Sequence, residues 1–166
     1  SLLASSSGSS LVGFIQSGTG AVARTVQDKA RDIISVKDFG AKGDGVADDT
    51  AAINAANTAA TSAGKSLRWP AGTYISSGIP VISGMSWVGE SESSTIIKLK
   101  NGTNAGLITS ATSLMHDVSI RNLRFDGNSA NNTAGDTLVI KGSRPLLHDV
   151  IVVNSAGTGI TTDWLQ

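Results

Sequence analysis

The chain has 166 residues, 13 basic and 13 acidic side chains, and no cysteine. Zero net charge gives no electrostatic footing for nucleic acid or an acidic membrane surface, and without thiols there is neither a disulfide nor a thiolate metal site. No apolar run reaches membrane-spanning length and no basic-then-apolar signal pattern occurs, so the expected partners include neither nucleic acid nor an inserted membrane.

Residues 1–34 read as a Ser/Gly-rich linker followed by a neck helix. "SLLASSSGSS" and "QSGTG" flank the short apolar patch "LVGFI". In "AVARTVQDKARDII", Val22, Val26, Ala30 and Ile33 recur at helical spacing, which predicts an amphipathic helix over residues 22–33. A helix this short is marginal alone, so its apolar stripe requires a partner, either the next domain or copies of itself.

The stretch "SVKDFGAKGDGVADDTAAINAA" follows, with Gly40, Gly43, Asp44, Gly45, Asp48 and Asp49 close together. Gly40 and Gly45 have the spacing of a phosphate-binding loop, but Val46 stands where its lysine is needed. "AGKS" (Ala63–Ser66) has Ala59 where the first glycine belongs. Asp44, Val46 and Asp48 do not alternate oxygen ligands as a Ca²⁺ loop requires. No cofactor and no metal are therefore expected. The preferred reading is a strand, a glycine turn and an acidic helix start, with Asp48 or Asp49 as N-cap. Ala52, Ile53, Ala56 and Ala60 give that helix a buried face, and Gly64 ends it.

From Ser66 onward, short strand-like runs such as "SLRW", "TYIS", "TIIKLK" and "TLVIKG" alternate with Gly, Asn and Ser turns. That density predicts an all-β sandwich, barrel or solenoid. "HDVSIRN" (His116–Asn122) matches "HDVIVVN" (His148–Asn154) at an offset of 32, and "GMSWVGE" (Gly84–Glu90) matches weakly one offset upstream, with Val88 at the Ile120 position. The repeat favours stacked coils about 4.8 Å apart. It predicts that Asn122 stacks on Asn154 at a left-handed corner. It also predicts that Val118, Ile120, Val150 and Val152 point inward and that Ile151 and Val153 make an apolar outer surface in need of a cover.

"VKDFGAKGDGVADDTAAINAA", "LRWPAGTYIS" and "GMSWVGESESSTIIKL" together resemble the start of a pectate-lyase-like right-handed parallel β-helix, closely over Ile34–Leu99. That superfamily includes polysaccharide lyases, glycoside hydrolases and bacteriophage tailspikes. "SSGSSLVGFIQSGTGAVARTVQDKARDIISVKDFGA" resembles the neck of tailed-phage tailspikes. The resemblance implies a homotrimer on the virion tail, joined to other tail proteins through a further N-terminal domain. It also implies binding and depolymerisation of a bacterial surface polysaccharide, capsule or O-antigen. Residues 35–166 would then be the capped first part of the β-helix, with Gly43, Asp44, Gly45, Asp48, Asp49 and Ile53 forming the cap. The strand chemistry running to "GITTDWLQ" implies that the coils continue. In the resembled enzymes the catalytic carboxylates lie on later coils or between subunits. A secreted polysaccharide lyase or hydrolase, or a binding module without catalysis, are the competing readings.

Within the chain, Asp117 and Asp149 are the candidate catalytic carboxylates, because adjacent coils would put them about 5 Å apart. Turn-capping is the preferred role for both, as for His116 and His148. "FDGNSANNTAGD" (Phe125–Asp136) resembles groove-lining loops and reads as a solvated loop. Trp69 and Trp87 read as core or cap, and Trp164 is left unassigned.

Overall fold

A computed structural model describes residues 5–110 and 115–163 of the chain. Trp164 lies outside the described residues. The chain divides into two compact units between Ile33 and Ile34, one residue ahead of the expected boundary.

In the first unit a 3-10 turn, Gly8–Leu11, precedes strand β1 (Gly13–Phe14), which pairs antiparallel with β2 (Arg24–Thr25). Thr25 is extended and its hydroxyl accepts the Asp28 N–H at 3.0 Å, so helix α1 begins only at Val26 and runs Val26–Ala30. Both Arg24 guanidinium arms reach Asp32, at 2.9 Å each, and one also reaches the Asp28 carbonyl at 2.8 Å. The expected helix over 22–33 is thus five residues long. The strand pairing of Arg24 and Thr25 removes its first turn, and Val22 and Ile33 fall outside it. Val22 is 76% exposed and Ile33 61%, with Val26 and Ala30 also exposed.

The second unit is a curled parallel sheet. Its elements are β3 (Ile34–Ser35), a 3-10 turn (Val36–Phe39), β4 (Asp44–Asp48), α2 (Thr50–Ser62), β5 (Leu67–Trp69), β6 (Gly72–Ser76) and β7 (Ile79–Pro80). There follow β8 (Ser86–Gly89), β9 (Thr95–Leu99), β10 (Ile108–Thr109), β11 (Met115–His116), β12 (Ser119–Asp126), β13 (Leu138–Ser143), β14 (Leu146–Val153) and β15 (Ile160–Asp163). They stack as three faces. The first face is β3, β5, β8 and the leading halves of β12 and β14. The second is β4, β6, β9 and the trailing halves of β12 and β14. The third is β7, β10, β13 and β15, with β11 on the far end of β13.

The core is built of rows that run from coil to coil. Leu67, Trp87, Ile120 and Leu147 align on the first face, Tyr74, Ile97, Phe125 and Val152 on the second, and Ile79, Ile108, Leu138 and Ile160 on the third. All but Leu147, Val152 and Ile160 are fully buried. Val118 and Ile120 point inward, Val150 and Val152 pack against the core, and Ile151 is 37% exposed on the outer side.

The coil period is not the expected 32 residues. Arg121 pairs with His148, 27 positions on, and Trp87, not Val88, pairs with Ile120. The recurrence of His-Asp-Val therefore does not follow the stacking. Asn122 and Asn154 do hold left-handed backbones, with φ of 56° and 52°, but the register sets Asn122 beside Asp149 (φ 51°). The Asn154 amide instead donates to Asp126 at 3.0 Å.

Helix α2 forms from its alanine-rich run and ends where Gly64, at φ 62°, donates to the Thr61 carbonyl. Ile53, Ala56, Asn57 and Ala60 are buried against the 3-10 turn and β3, β5, β6 and β7. Asn57 joins it to the coils, since Trp87 Nε1 donates to Asn57 Oδ1 at 2.8 Å and Asn57 Nδ2 donates to the Pro80 carbonyl at 3.2 Å. Trp87 also lies 4.9 Å from Trp69, ring centre to ring centre. Trp87→Phe keeps most of the packing but strands a buried carbonyl oxygen, at about 1–3 kcal/mol. The urea midpoint of W87F should fall accordingly, and W87F with N57L should recover part of the loss. An unchanged midpoint in W87F would contradict this assignment.

Candidate functional site

The segment from Ser35 to Thr50 is organised by its carboxylates, each engaged with backbone. The Ser35 hydroxyl and the Asp38 carboxylate form a reciprocal capping box on the 3-10 turn. Asp44 accepts the Val46 and Ala47 N–H groups at 2.9 and 2.8 Å, which holds its carboxyl below the usual range. Asp49 is 3% exposed, and its two oxygens accept the N–H groups of Lys42 and Gly43 at 2.7 and 3.0 Å. Its own N–H donates to the Ile75 carbonyl at 2.8 Å. Gly43 sits at φ 63°, and a Cβ there would come 2.7 Å from the Tyr74 ring. This position therefore takes no larger residue without strain.

The two adjacent aspartates divide what either was expected to do. Asp49 occupies the N-cap position of α2 yet makes no side-chain bond to the helix. Asp48 supplies that bond, accepting the Thr50 N–H at 3.0 Å and the Thr50 hydroxyl at 2.5 Å. It also receives Lys100 Nζ at 2.8 Å. The Lys100 bond and then the Thr50 bonds hold the Asp48 carboxyl down at about 2. Beside this pair lies a groove of about 270 Å³ lined by Gly45, Val46, Ile75, Lys100 and Asn101. Tyr74 is buried beneath, its hydroxyl donating to the Pro70 carbonyl at 2.8 Å, and burial pushes it up to about 12.

Asp117 and Asp149 are not brought together. Asp117 (φ 57°) ion-pairs at 2.5 Å with Arg144, itself left-handed at φ 58° on the next coil. Asp149 lies at the corner occupied by Asn122 and contacts His148 Nδ1 at 2.9 Å. Asn122 lies five positions after Asp117, on the order of 15 Å of extended chain. The expected separation of about 5 Å depends on the 32-residue offset, which the register replaces. Among the described residues, His, Asp and Glu form no group of three that could hold a metal ion.

In the Asn-rich loop after β12, Ser129, Ala130, Asn131, Thr133 and Ala134 are exposed as its composition suggests, but Asn128 and Asn132 are only 4% and 2% exposed. Asn128 Nδ2 donates to the Leu99 carbonyl and to Asn101 Oδ1, both at 2.8 Å. Asn132 Oδ1 accepts the Asn104 N–H at 2.9 Å, and Asn104 Oδ1 accepts the Thr133 N–H at 2.8 Å. These amides tie each coil's turn to the next, as a ladder satisfies groups that one coil alone would leave open. Sequence reasoning misses Lys100, Arg144, Asn57 and this ladder. The signal for the ladder is the spacing of Asn101 and Asn104 from Asn128 and Asn132.

A parallel coil with these side chains defines a class. The rhamnogalacturonase A/epimerase, pectate lyase-like family matches residues 33–117, and the chain belongs to it. Alginate lyase 7 of Azotobacter vinelandii is 42% identical over 115 residues, 61% of this chain and 13% of that protein. The tail spike protein of an Escherichia phage is 44% identical over 73 residues, 44% of this chain and 8% of that protein. Among solved structures, the A-module of the Azotobacter vinelandii mannuronan C-5 epimerase AlgE4 superposes with a TM-score of 0.71 at 31% identity, over 79% of this chain and 41% of that one. The chain thus spans a small part of the curated relatives' length.

Asp48 gives a pH signature. Its folded carboxyl, at about 2, stays ionised while an unfolded one at about 3.9 takes a proton. Its contribution is therefore present above about pH 4 and lost as pH falls toward 2. The Asp48 side chain is 43% exposed, so screening holds the contribution below about 1 kcal/mol. Urea midpoints taken from pH 5 down to pH 2 should decline less steeply in Asp48→Asn than in the native chain. Identical slopes would remove the Lys100 and Thr50 bonds as the cause.

Proposed function

We propose that this chain is the N-terminal part of a phage tailspike that binds, and through the complete protein depolymerises, a host surface polysaccharide. Its place is the virion tail. Residues 1–33 serve as neck, and residues 34–166 begin a coil right-handed by the usual rule for parallel connections. The observation that carries the reading is the 44% identity to a phage tail spike protein in a chain whose first unit exposes a run of large apolar side chains. Leu11, Val12, Ile15, Val22, Val26 and Ile33 are all exposed there. A small unit with that much apolar surface gains stability by joining copies of itself, and the reading takes the assembly to be a homotrimer.

In this reading α2 and the Asp49-fastened loop are the cap. A parallel coil otherwise ends in unpaired backbone groups and an open core. Ile53, Ala56 and Ala60 cover that end, and Gly43, Asp44, Gly45, Asp48 and Asp49 shape the loop that holds α2 in place. Asp117 and Asp149 serve as corner residues, and catalysis belongs to parts of the complete protein beyond this segment.

A second reading, a secreted bacterial polysaccharide lyase or epimerase, is favoured by the longer match to alginate lyase 7, over 61% of the chain. Immunoblots of purified virions and of phage-free bacterial supernatants separate the two. The tailspike reading expects the full-length protein in virions, and finding it only in phage-free supernatant would overturn that reading. Incubation of the full-length protein with purified capsule or O-antigen should release new reducing ends or unsaturated sugars. Binding without either product would leave a non-catalytic receptor-binding protein.

A further inference from the structure

Asn101 is the only asparagine of the chain that is followed by glycine. Both residues are exposed, in the turn after β9, and Gly102 holds φ 71° with open space where a Cβ would stand. Such a pair carries a reaction of its own. The Gly102 backbone nitrogen attacks Cγ of Asn101 and closes a cyclic imide. The bond from Cγ to Nδ2 breaks, and the amide nitrogen leaves as ammonia with the proton that Gly102 gives up. Water then opens the imide at either carbonyl, which leaves aspartate or isoaspartate. Glycine favours the attack because no side chain shields its nitrogen.

The next coil holds both reacting groups. The Gly102 N–H donates to the Asn131 carbonyl at 3.0 Å, and Asn101 Oδ1 accepts Asn128 Nδ2 at 2.8 Å. Attack requires the first bond to break and the Asn101 side chain to swing toward the nitrogen. Asn128, 4% exposed, is the point through which both constraints run. Its Nδ2 also donates to the Leu99 carbonyl at 2.8 Å, and its Oδ1 accepts Asn131 Nδ2 at 3.0 Å. One buried side chain thus fixes the turn that reacts and the loop whose carbonyl occupies the nucleophile. The two products differ in consequence. Aspartate keeps an acceptor for Asn128 Nδ2. Isoaspartate adds a methylene to the backbone between the Lys100 N–H, bonded to the Ser76 carbonyl at 2.9 Å, and the Gly102 N–H, so those two bonds between coils lose their common register.

We propose that Asn101–Gly102 is a self-modification site, which converts to aspartate and isoaspartate when its turn opens, and that Asn128 holds it unreactive in the closed coil. The test incubates the full chain and a synthetic peptide of residues 97–105 at neutral pH. Peptide mapping by mass spectrometry follows conversion at Asn101, and an isoaspartyl methyltransferase assay follows the isoaspartate. The native chain should convert roughly tenfold or more slowly than the peptide, since reaction must wait for local opening, and in denaturing urea it should match the peptide. Asn128→Gly suits the left-handed backbone at φ 51° and should convert at a rate approaching the peptide's. Asn154→Gly, at another left-handed corner, should keep the native rate. Asn128→Asp, close in size but without the Nδ2 donor, gives the same readout should Asn128→Gly fail to fold. A peptide that does not convert would overturn the site. Equal rates in folded chain and peptide would overturn its protection, and a native rate in a folded Asn128 variant would overturn the part given to Asn128.

Discussion

One buried carboxylate ties together the start of the second unit. Asp49 fixes the Lys42 and Gly43 amides with its two oxygens while its own amide holds the Ile75 carbonyl. Those three bonds join the glycine turn, the start of α2 and strand β6 at one point. Carboxylate bonds to N–H groups in a dry setting are stronger than neutral ones, and a buried carboxylate left without them would be costly. Lying over the Tyr74 ring, the turn can pass at Gly43 only because no Cβ is present. From that point the hydrophobic rows of the three faces continue coil by coil.

The corners obey a similar economy of backbone. Corner residues take the left-handed region, and the same corner in the next coil does likewise, as with Asn122 and Asp149, or Asp117 and Arg144. Side chains at those corners then bond across coils. Asp117 with Arg144 and Asp126 with Asn154 act as stitches between layers, which accounts for acidic residues that resemble catalytic ones in isolation. The register sets Asp117 beside Arg144 and Asp149 beside Asn122, so the two candidate aspartates are not paired with each other.

Much of this is legible in the sequence, for physical reasons that differ from element to element. Helix α2 can be read because Ile53, Ala56 and Ala60 follow a 3.6-residue period and Gly64 stops it. Val118 and Ile120 can be read as inward from their alternation. The register cannot, because stacking aligns core side chains whatever the length of the turn between them. Leu67 to Trp87 takes 20 residues, Trp87 to Ile120 takes 33, and Ile120 to Leu147 takes 27. Matching His-Asp-Val by identity therefore selects a spacing that stacking does not use. Helix α1 is shorter than its pattern because the apolar spacing of Val22, Val26, Ala30 and Ile33 says nothing of the strand pairing that claims Arg24 and Thr25. The division between Asp48 and Asp49 is also hidden, since both positions suit a helix start and only the fold reveals which is buried.

Amide exchange at Lys42 and Gly43 tests the central claim most directly. If Asp49 fastens the glycine turn to α2 and β6, these two loop amides should exchange through the same slow opening as the core strands β6 and β9. In Asp49→Asn the Lys42 and Gly43 amides should lose that protection. Exchange of both amides at the rate of an exposed loop in the native protein would contradict the account.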